Sequence, residues 1–133
     1  MKNSKKIAVI TGGAGFIGSH MVDLLLSKKY KVNVIDNLSG GHKKNLTHHK
    51  KNSDLKFEKS DICKLKKTHK FFKNADFVFH FAGIGDIVPS IENPDNYMQT
   101  NIQGTVKVLE AARYNGIKKF VYSASASCYG LNS

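Results

Sequence analysis

Arginine is almost absent from this 133-residue sequence, which has Arg113 alone and otherwise lysine among its 21 basic residues. Recognition of bases and phosphates favours the planar fork of arginine, so its scarcity argues against nucleic-acid binding despite a net charge of +11. The lysines also lack interleaved aromatic residues on a sheet face, on which bases could stack. We interpret the charge, concentrated in residues 42–73, as a solvated lysine-rich surface; a basic nucleic-acid-binding domain stays open as an alternative.

Cysteine and long apolar runs are scarce too. Cys63 and Cys128 form no ligand spacing, so we expect free thiols in a reducing cytoplasm. No stretch approaches the roughly 20 apolar residues of a membrane span, and we expect no membrane partner. The basic start before Ile7 superficially resembles a signal peptide, but the apolar run is short and breaks at Gly12, so a buried first strand explains it better.

Strand-like and helix-like segments alternate along the chain. Apolar runs predict strands over residues 6–11, 31–36, 55–59, 76–82 and 119–123. Helical spacing or composition predicts helices over residues 15–28, 65–73 and 96–114, the last preceded by a loop with Pro89 and Pro94. The alternation predicts an α/β fold in one domain, residues 1–133: a Rossmann-type doubly wound parallel sheet of strand order 3-2-1-4-5, in three α/β/α layers and truncated after the fifth strand.

Three glycines follow the first predicted strand at a spacing typical of a phosphate-binding loop. Gly12 permits the tight turn, Gly15 lets the backbone approach a phosphate, and Gly18 lets the helix pack on the sheet. The N–H groups of the first helical turn would then face an anion, helped by the helix dipole. Because the flanking strand and helix fit, a dinucleotide pyrophosphate is favoured over a turn without a ligand.

An acid, Asp36, ends the second predicted strand. A carboxylate at this place accepts hydrogen bonds from the ribose hydroxyls of adenosine. It would also repel a 2′-phosphate, by roughly 4 kcal/mol per charge pair at about 4 Å. The sequence therefore predicts NAD rather than NADP as the cofactor, with a strand-end turn residue as the alternative interpretation of Asp36.

Later motifs agree in order and spacing with a known superfamily. They are Asp61-Ile62, His80 to Gly83, Asn101 to Thr105, and Val121 to Gly130. With the glycine loop they resemble the extended short-chain dehydrogenase/reductase superfamily, and within it the NAD-dependent epimerase/dehydratase family, closest to UDP-glucose 4-epimerases and related sugar-nucleotide enzymes. The resemblance runs from Lys6 to Gly130 and covers the N-terminal part of the family's pattern.

The resemblance implies a role for each matching residue. The pyrophosphate would be held by Gly12, Gly15, Phe16, Ile17 and Gly18, and the adenosine ribose by Asp36 and Asn37, with Ser39 and Gly40 nearby. The adenine would lie between Asp61 and Ile62. The nicotinamide side would be lined by Phe81, Ala82, Gly83, Asn101 and Ser123. Ser125 would be the catalytic serine that hydrogen-bonds the sugar hydroxyl undergoing oxidation. Without the resemblance, these serines are small polar residues at a strand end. Two positions depart from the pattern: Gly85 replaces a long polar side chain, and Ala124 a serine.

A Tyr-x-x-x-Lys pair downstream of the serine is also implied, and the sequence does not contain it there. Tyr114 and Lys118 have the spacing, but Gly116 between them ends a helix, so we expect the match to be accidental. The resemblance implies transient oxidation of the C4 hydroxyl of a UDP-sugar or other sugar nucleotide. We expect no turnover by this chain alone, because the tyrosine and lysine are absent, and we expect the substrate-binding C-terminal part to be absent as well.

Three alternatives for the assembly stay open at this stage. The chain could be a non-catalytic dinucleotide-binding module, or one half of a split enzyme with a separate C-terminal half. The resemblance also implies a homodimer through the helix from Asn101 to Arg113, and an uncovered fifth strand would favour self-association.

Histidines in the polar stretch suggest a metal site at first sight. His42, His48, His49 and His69 have no carboxylate or cysteine at ligand spacing along the chain, so we interpret them as solvated loop residues and expect no metal. We interpret His80, within the fourth predicted strand, as a packed residue rather than a base.

Overall fold

Five parallel strands form one sheet in the order β3-β2-β1-β4-β5. They are β1 (Ile7–Thr11), β2 (Lys31–Asp36), β3 (Leu55–Lys59), β4 (Phe77–His80) and β5 (Lys119–Tyr122). The computed structural model describes residues 4–130, leaving aside the side chains of residues 126 and 127. The strand order confirms the prediction, and β1 lies at the centre of the sheet, where the crossover changes direction.

Helices connect the strands. They are α1 (Phe16–Ser27), α2 (Ile87–Glu92), α3 (Pro94–Tyr97) and α4 (Thr105–Tyr114). A π-helical segment, Met98–Gly104, joins α3 to α4 without a break, and short 3₁₀ turns span Lys43–His49, Ile62–Lys64 and Ala126–Tyr129. In residues 4–130, no helix has both the length and the apolar character needed to cross a membrane.

The central strands are buried on both faces, as the near-continuous apolar runs predicted. On one face, Ala8 and Ile10 of β1 share a core with Val22 of α1. On the other face, Val9 shares a core with Phe72 and Val108, the latter from α4. The sheet is therefore the middle of three layers, with one core on each of its faces.

The helix predicted over residues 65–73 is wrong. This stretch forms successive turns with bonds three residues apart, from the Phe72 amide to the His69 carbonyl and from the Ala75 amide to the Phe72 carbonyl. The buried Asn33 side chain of β2 donates to the Phe71 carbonyl at 2.9 Å and so ties this stretch to the sheet. Tertiary hydrogen bonding and burial of both phenylalanines outweigh the weak local preference for a helix.

The predicted loop with Pro89 and Pro94 is wrong, whereas the predicted long helix is confirmed as a continuous helical run over residues 94–114 with the π-helical segment in its middle. Pro89 lies inside α2, and Pro94 occupies the first turn of α3. Proline has no N–H group, and an N–H in the first turn would have no intrahelical acceptor, so no hydrogen bond is lost there. The predicted end is confirmed, because α4 stops at Tyr114 and Gly116 adopts a φ of +65°. Tyr114 and Lys118 therefore do not share a helix, and Lys118 instead approaches Asp76 at 3.3 Å.

Candidate functional site

The glycine loop after β1 makes three close backbone approaches. Gly12 has a φ of +70°, and a Cβ there would lie 2.6 Å from the amide nitrogen of Ala82. A Cβ on Gly18 would lie 2.2 Å from the Gly12 carbonyl oxygen. Gly15 has more room, since its Cβ would meet that oxygen at 3.3 Å and nothing closer. Packing therefore requires glycine at positions 12 and 18, whereas a methyl group at position 15 would require the Gly12 carbonyl oxygen to shift by a few tenths of an ångström.

The first turn of α1 opens toward the carboxyl end of the sheet. Gly15 is its N-cap, in an extended conformation that makes no side-chain capping bond, and the first turn holds no acidic residue. The leading N–H groups of a helix have no intrahelical acceptor and carry the positive end of the helix dipole. An anion is the chemical partner that suits this uncapped end.

Asp36 holds the glycine loop in place. Its carboxylate is buried; one oxygen accepts a hydrogen bond from the Ala14 amide at 2.9 Å and the other from the Leu38 amide at 2.7 Å. Each carboxylate oxygen can accept a second bond, so capacity for a ligand hydroxyl remains. The bond from the Leu38 amide fits the alternative interpretation of Asp36 as a strand-end turn residue, whereas the bond from the Ala14 amide is a structural role that the sequence did not reveal; the ribose role stays a prediction.

One cleft at the carboxyl ends of the strands has two halves that meet at the glycine loop and residues 81–83. Every predicted site residue lines it. The shared wall is Gly12, Gly15, Phe81, Ala82 and Gly83; the first half adds Asp36, Asn37, Ser39, Gly40, Asp61 and Ile62; the second adds Phe16, Ile17, Gly18, Asn101, Ser123 and Ser125. Residues from six separate stretches of sequence thus come together, although their individual roles stay predictions.

Polar side chains in the first half shape the surrounding turns. The Asn37 side chain accepts from the amide and hydroxyl of Ser39, at 2.9 and 2.7 Å. Asp61 caps the short 3₁₀ turn by accepting from the Cys63 amide at 2.9 Å. The wall around the predicted adenosine end is therefore held by local hydrogen bonds before any ligand binds.

The second half is shaped by the π-helical segment. The Asn101 side chain accepts from the Ile84 amide at 2.8 Å and donates to the Ile84 carbonyl at 2.9 Å, which fixes the loop after β4. A Cβ on Gly83 would lie 3.2 Å from the Asn101 oxygen, so this loop packs closely against the segment. Short π-helical stretches are frequent at functional sites.

His80 links β1, β4 and α4 beneath the cleft. Its Nδ1 lies 2.5 Å from the Thr11 hydroxyl and its Nε2 lies 2.9 Å from the Thr105 hydroxyl. Since Thr105 donates its proton to the Asn101 carbonyl at 2.7 Å, Nε2 must carry the imidazole hydrogen and Nδ1 must accept from Thr11. Burial lowers the pKa of His80 to about 4, so the ring is neutral near pH 7. The structure agrees with the packed role expected from the sequence.

Sequence reasoning missed the contact that joins the loop after β2 to the glycine loop. The Ala14 carbonyl accepts from the His42 amide at 3.0 Å and from the Asn45 side chain at 2.8 Å. A Cβ on Gly41 would lie 2.8 Å from the Ala14 backbone. The double glycine at positions 40–41 was a usable signal, because close backbone approach is one reason for glycine in a loop.

Two of the histidines interpreted as solvated loop residues contact a carboxylate. The fold brings Asp23 of α1 to His48 and His49 from 25 and 26 residues away in sequence, with distances of 2.8 and 2.6 Å from its Oδ1 to their Nε2 atoms. Burial alone would raise the pKa of Asp23, but hydrogen bonds from both histidines outweigh it and lower the pKa.

Several known proteins of similar sequence and structure are sugar-nucleotide epimerases. UDP-glucose 4-epimerase of Bos taurus is 36% identical, over 92% of this chain and 38% of its own length. The UDP-N-acetylglucosamine 4-epimerase of Methanobrevibacter ruminantium M1, solved with UDP-N-acetylmuramic acid, is 40% identical with a TM-score of 0.88, over 97% of this chain and 41% of that one. The UDP-glucose 4-epimerase of Thermus thermophilus, solved with NAD, is 31% identical with a TM-score of 0.76, over 90% of this chain and 37% of that one.

The chain thus spans about two fifths of the length of these relatives. The sequence model of one family, described as the NAD dependent epimerase/dehydratase family, matches residues 8–133. That match includes the glycine loop, Asp36 and every other residue of the predicted site. The chain belongs to the NAD-dependent epimerase/dehydratase family.

Proposed function

We propose that this chain binds NAD across the cleft and forms the cofactor-binding part of an NAD-dependent nucleotide-sugar 4-epimerase. The uncapped start of α1 behind Gly15 carries the proposal, because it offers an anion several amides in a pocket that already holds Asp36. The residues present fit the cofactor: Gly15 leaves space for a diphosphate, and Asp36 keeps acceptor capacity for a ribose hydroxyl. NAD is the cofactor named in the family's description.

Bound NAD would supply the hydride acceptor for transient oxidation of a sugar C4 hydroxyl. The chain would contribute positioning and electrostatics. Ser125, in the second half of the cleft with Ser123, is proposed to hydrogen-bond the reacting hydroxyl. His80 would take no proton in the reaction, since both ring nitrogens are bonded to threonines and its pKa is about 4.

The substrate class follows from the relatives and belongs to the complete enzyme. Their names specify UDP-glucose and UDP-N-acetylglucosamine, so a UDP-sugar is the proposed substrate. We propose that the 133 residues alone do not catalyse turnover of a UDP-sugar, because the tyrosine–lysine pair implied by the resemblance is missing from them. The residues that enclose the sugar would come from a C-terminal part of the same enzyme or from a separate chain.

A titration of NAD into the wild-type chain and a Gly15→Ala variant tests the proposal. Gly15 lines both halves of the cleft, and a methyl group there would press on the Gly12 carbonyl oxygen at 3.3 Å. We expect wild type to bind one NAD, and Gly15→Ala to lose at least about tenfold in affinity, or about 1.4 kcal/mol, while it still unfolds in one cooperative transition. Calorimetry and thermal unfolding provide the two measurements.

Glu110→Gln, on the exposed surface of α4, serves as the matched control and should bind NAD as wild type does. Equal affinities for Gly15→Ala and wild type, or no saturable binding of NAD, would refute the proposal. Turnover of a UDP-sugar by the chain alone would refute the proposed inactivity. Stabilisation by DNA but not by NAD would instead support the alternative of a nucleic-acid-binding domain.

We further propose a homodimer through the π-helical segment and α4. Met98, Ile102, Val106 and Leu109 form an exposed apolar row along them, each at least 43% accessible. Helical neighbours spaced three or four residues apart lie on one face and could pack against the same face of a second copy. Ile102→Lys with Val106→Lys should abolish a dimer in analytical ultracentrifugation; a wild-type monomer at all concentrations would contradict the proposal.

A further inference from the structure

We propose that Asp23, His48 and His49 form a binding site for a zinc-type divalent metal ion, separate from the cofactor cleft. Their ligand atoms lie within 4.8 Å of one another. Asp23 projects from the middle of α1, and the two histidines end the 3₁₀ turn Lys43–His49. None of the three lines the cleft, so the proposal is independent of the proposed epimerase function.

The donor atoms lie close enough together for one metal ion to bind all three. Both Nε2 atoms converge on the same carboxylate oxygen of Asp23, and the two imidazole rings lie with their centroids 4.1 Å apart. A tetrahedral zinc ion bonds its ligands at about 2.0–2.2 Å, which puts the donor atoms roughly 3.3 Å from each other. The observed N to O distances of 2.8 and 2.6 Å would therefore need to open by about 0.5 and 0.7 Å.

The chemistry of the donors selects the class of metal. Two imidazoles and one carboxylate suit zinc, nickel, copper or iron, whereas calcium and magnesium require a shell of oxygen ligands. Water would complete the coordination. His20, with its Nδ1 at 4.0 Å from the second oxygen of Asp23, lies close by as an additional imidazole.

The elements that carry the ligands are already fixed against each other. Leu46, within the histidine-bearing turn, is buried in the same core as Val22 and Leu25 of α1. The Asn45 side chain anchors the start of the turn to the Ala14 carbonyl. Because the metal would find its ligands nearly in place, little ordering free energy opposes binding. A bound ion would clamp α1 to the segment that follows Asp36.

Zinc titration of the untagged chain tests the site, with Cys128→Ser in every protein to remove an exposed competing thiol. We expect one zinc per chain, and a melting temperature raised by roughly 5–10 °C when zinc exceeds its dissociation constant about 100-fold. Asp23→Asn and the double variant His48→Gln/His49→Gln should each weaken binding by at least about tenfold. His69→Gln is the matched control. His69 is not a member of the cluster and instead pairs with Glu58 at 2.9 Å, so this variant should bind zinc with the wild-type affinity.

X-ray absorption of the zinc-loaded wild type gives a readout that does not depend on any variant folding. It should show nitrogen and oxygen ligands at about 2.0–2.2 Å, with scattering from two imidazoles. Absence of one-to-one binding, an unchanged affinity in both cluster variants, or a zinc environment without imidazole would each overturn the proposal. Circular dichroism without zinc verifies that the variants remain folded, and a failed variant leaves the absorption measurement to decide.

Discussion

His80 shows how a single polar side chain fixes the floor of the cleft. It is 1% exposed, and its two nitrogens join Thr11, just before the glycine loop, to Thr105, just after the π-helical segment. No buried side-chain nitrogen or oxygen in the described part of the chain lacks a hydrogen-bond partner. A neutral imidazole with a hydrogen bond at each nitrogen can hold three elements together. A charged imidazole has no acceptor nitrogen and would lose the hydrogen bond accepted from Thr11.

Stability should therefore fall as the pH is lowered from 6.5 toward 4. In the unfolded chain the His80 ring takes up a proton near pH 6.5, whereas burial lowers its pKa to about 4 in the folded chain. Between these values the unfolded state binds more protons, so the free energy of unfolding decreases with falling pH, by about 1 kcal/mol from about pH 7 to about pH 5.5. Urea denaturation at a series of pH values measures this loss.

The comparison variant is His80→Gln, which we expect to be less stable at pH 7 and to lack this part of the pH dependence. Asp23, Glu58 and Asp76 have lowered pKa values, so their contribution is lost at more acidic pH and does not confuse the range above pH 5. Parallel pH profiles for variant and wild type would show that His80 does not carry the effect.

At the residue scale, the sequence predicted which side chains line the cleft but not all that they do. Glycine spacing and strand ends identify Gly12, Gly15 and Asp36, because each is tied to a local feature of the chain. The bond that the Ala14 amide donates to Asp36 could not be predicted, because 22 residues separate the two. The approach of Asp23 to His48 was equally invisible, since 25 residues separate them.

At the scale of elements, α1 reaches the sheet only because the glycine loop has no side chains at two positions. A Cβ on Gly18 would lie only 2.2 Å from the Gly12 carbonyl oxygen, and that oxygen belongs to backbone that cannot move aside easily. Packing of this helix sets the direction in which its first N–H groups point, so the same contact determines the proposed phosphate site.

Gly18→Ala should therefore lower the free energy of unfolding by at least about 2 kcal/mol, since overpacking against backbone typically destabilises by about 1–3 kcal/mol. Gly40→Ala is the matched substitution, because a Cβ there meets nothing within 4 Å, and should change stability by less than about 0.5 kcal/mol. Chemical denaturation without NAD measures both. Equal stabilities of the two variants would contradict the packing account.

Elements with strong local signals were predictable, and those decided by tertiary contacts were not. Apolar runs indicated all five strands, and Gly116 marked the end of α4. The stretch 65–73 has helical composition, yet Asn33 and the core around Phe72 convert it into turns. The π-helical segment has no sequence pattern of its own, since it arises where Asn101 bonds the loop after β4.

At the scale of the whole molecule, the two halves of the cleft meet at the centre of the sheet. The first half lies over β2 and β3 and the second over β4 and β5, with the glycine loop of β1 between them. An extended dinucleotide has two nucleosides joined by a diphosphate, which matches two pockets on either side of an uncapped helix. Family membership and this two-part shape of the cleft both support NAD as the ligand.

A crystal structure of the chain soaked with NAD tests this account most directly. We predict the diphosphate against the backbone amides at the start of α1, next to Gly15, with the adenosine ribose hydrogen-bonded to Asp36. Electron density for NAD elsewhere on the molecule, or a vacant cleft at saturating NAD concentration, would contradict it.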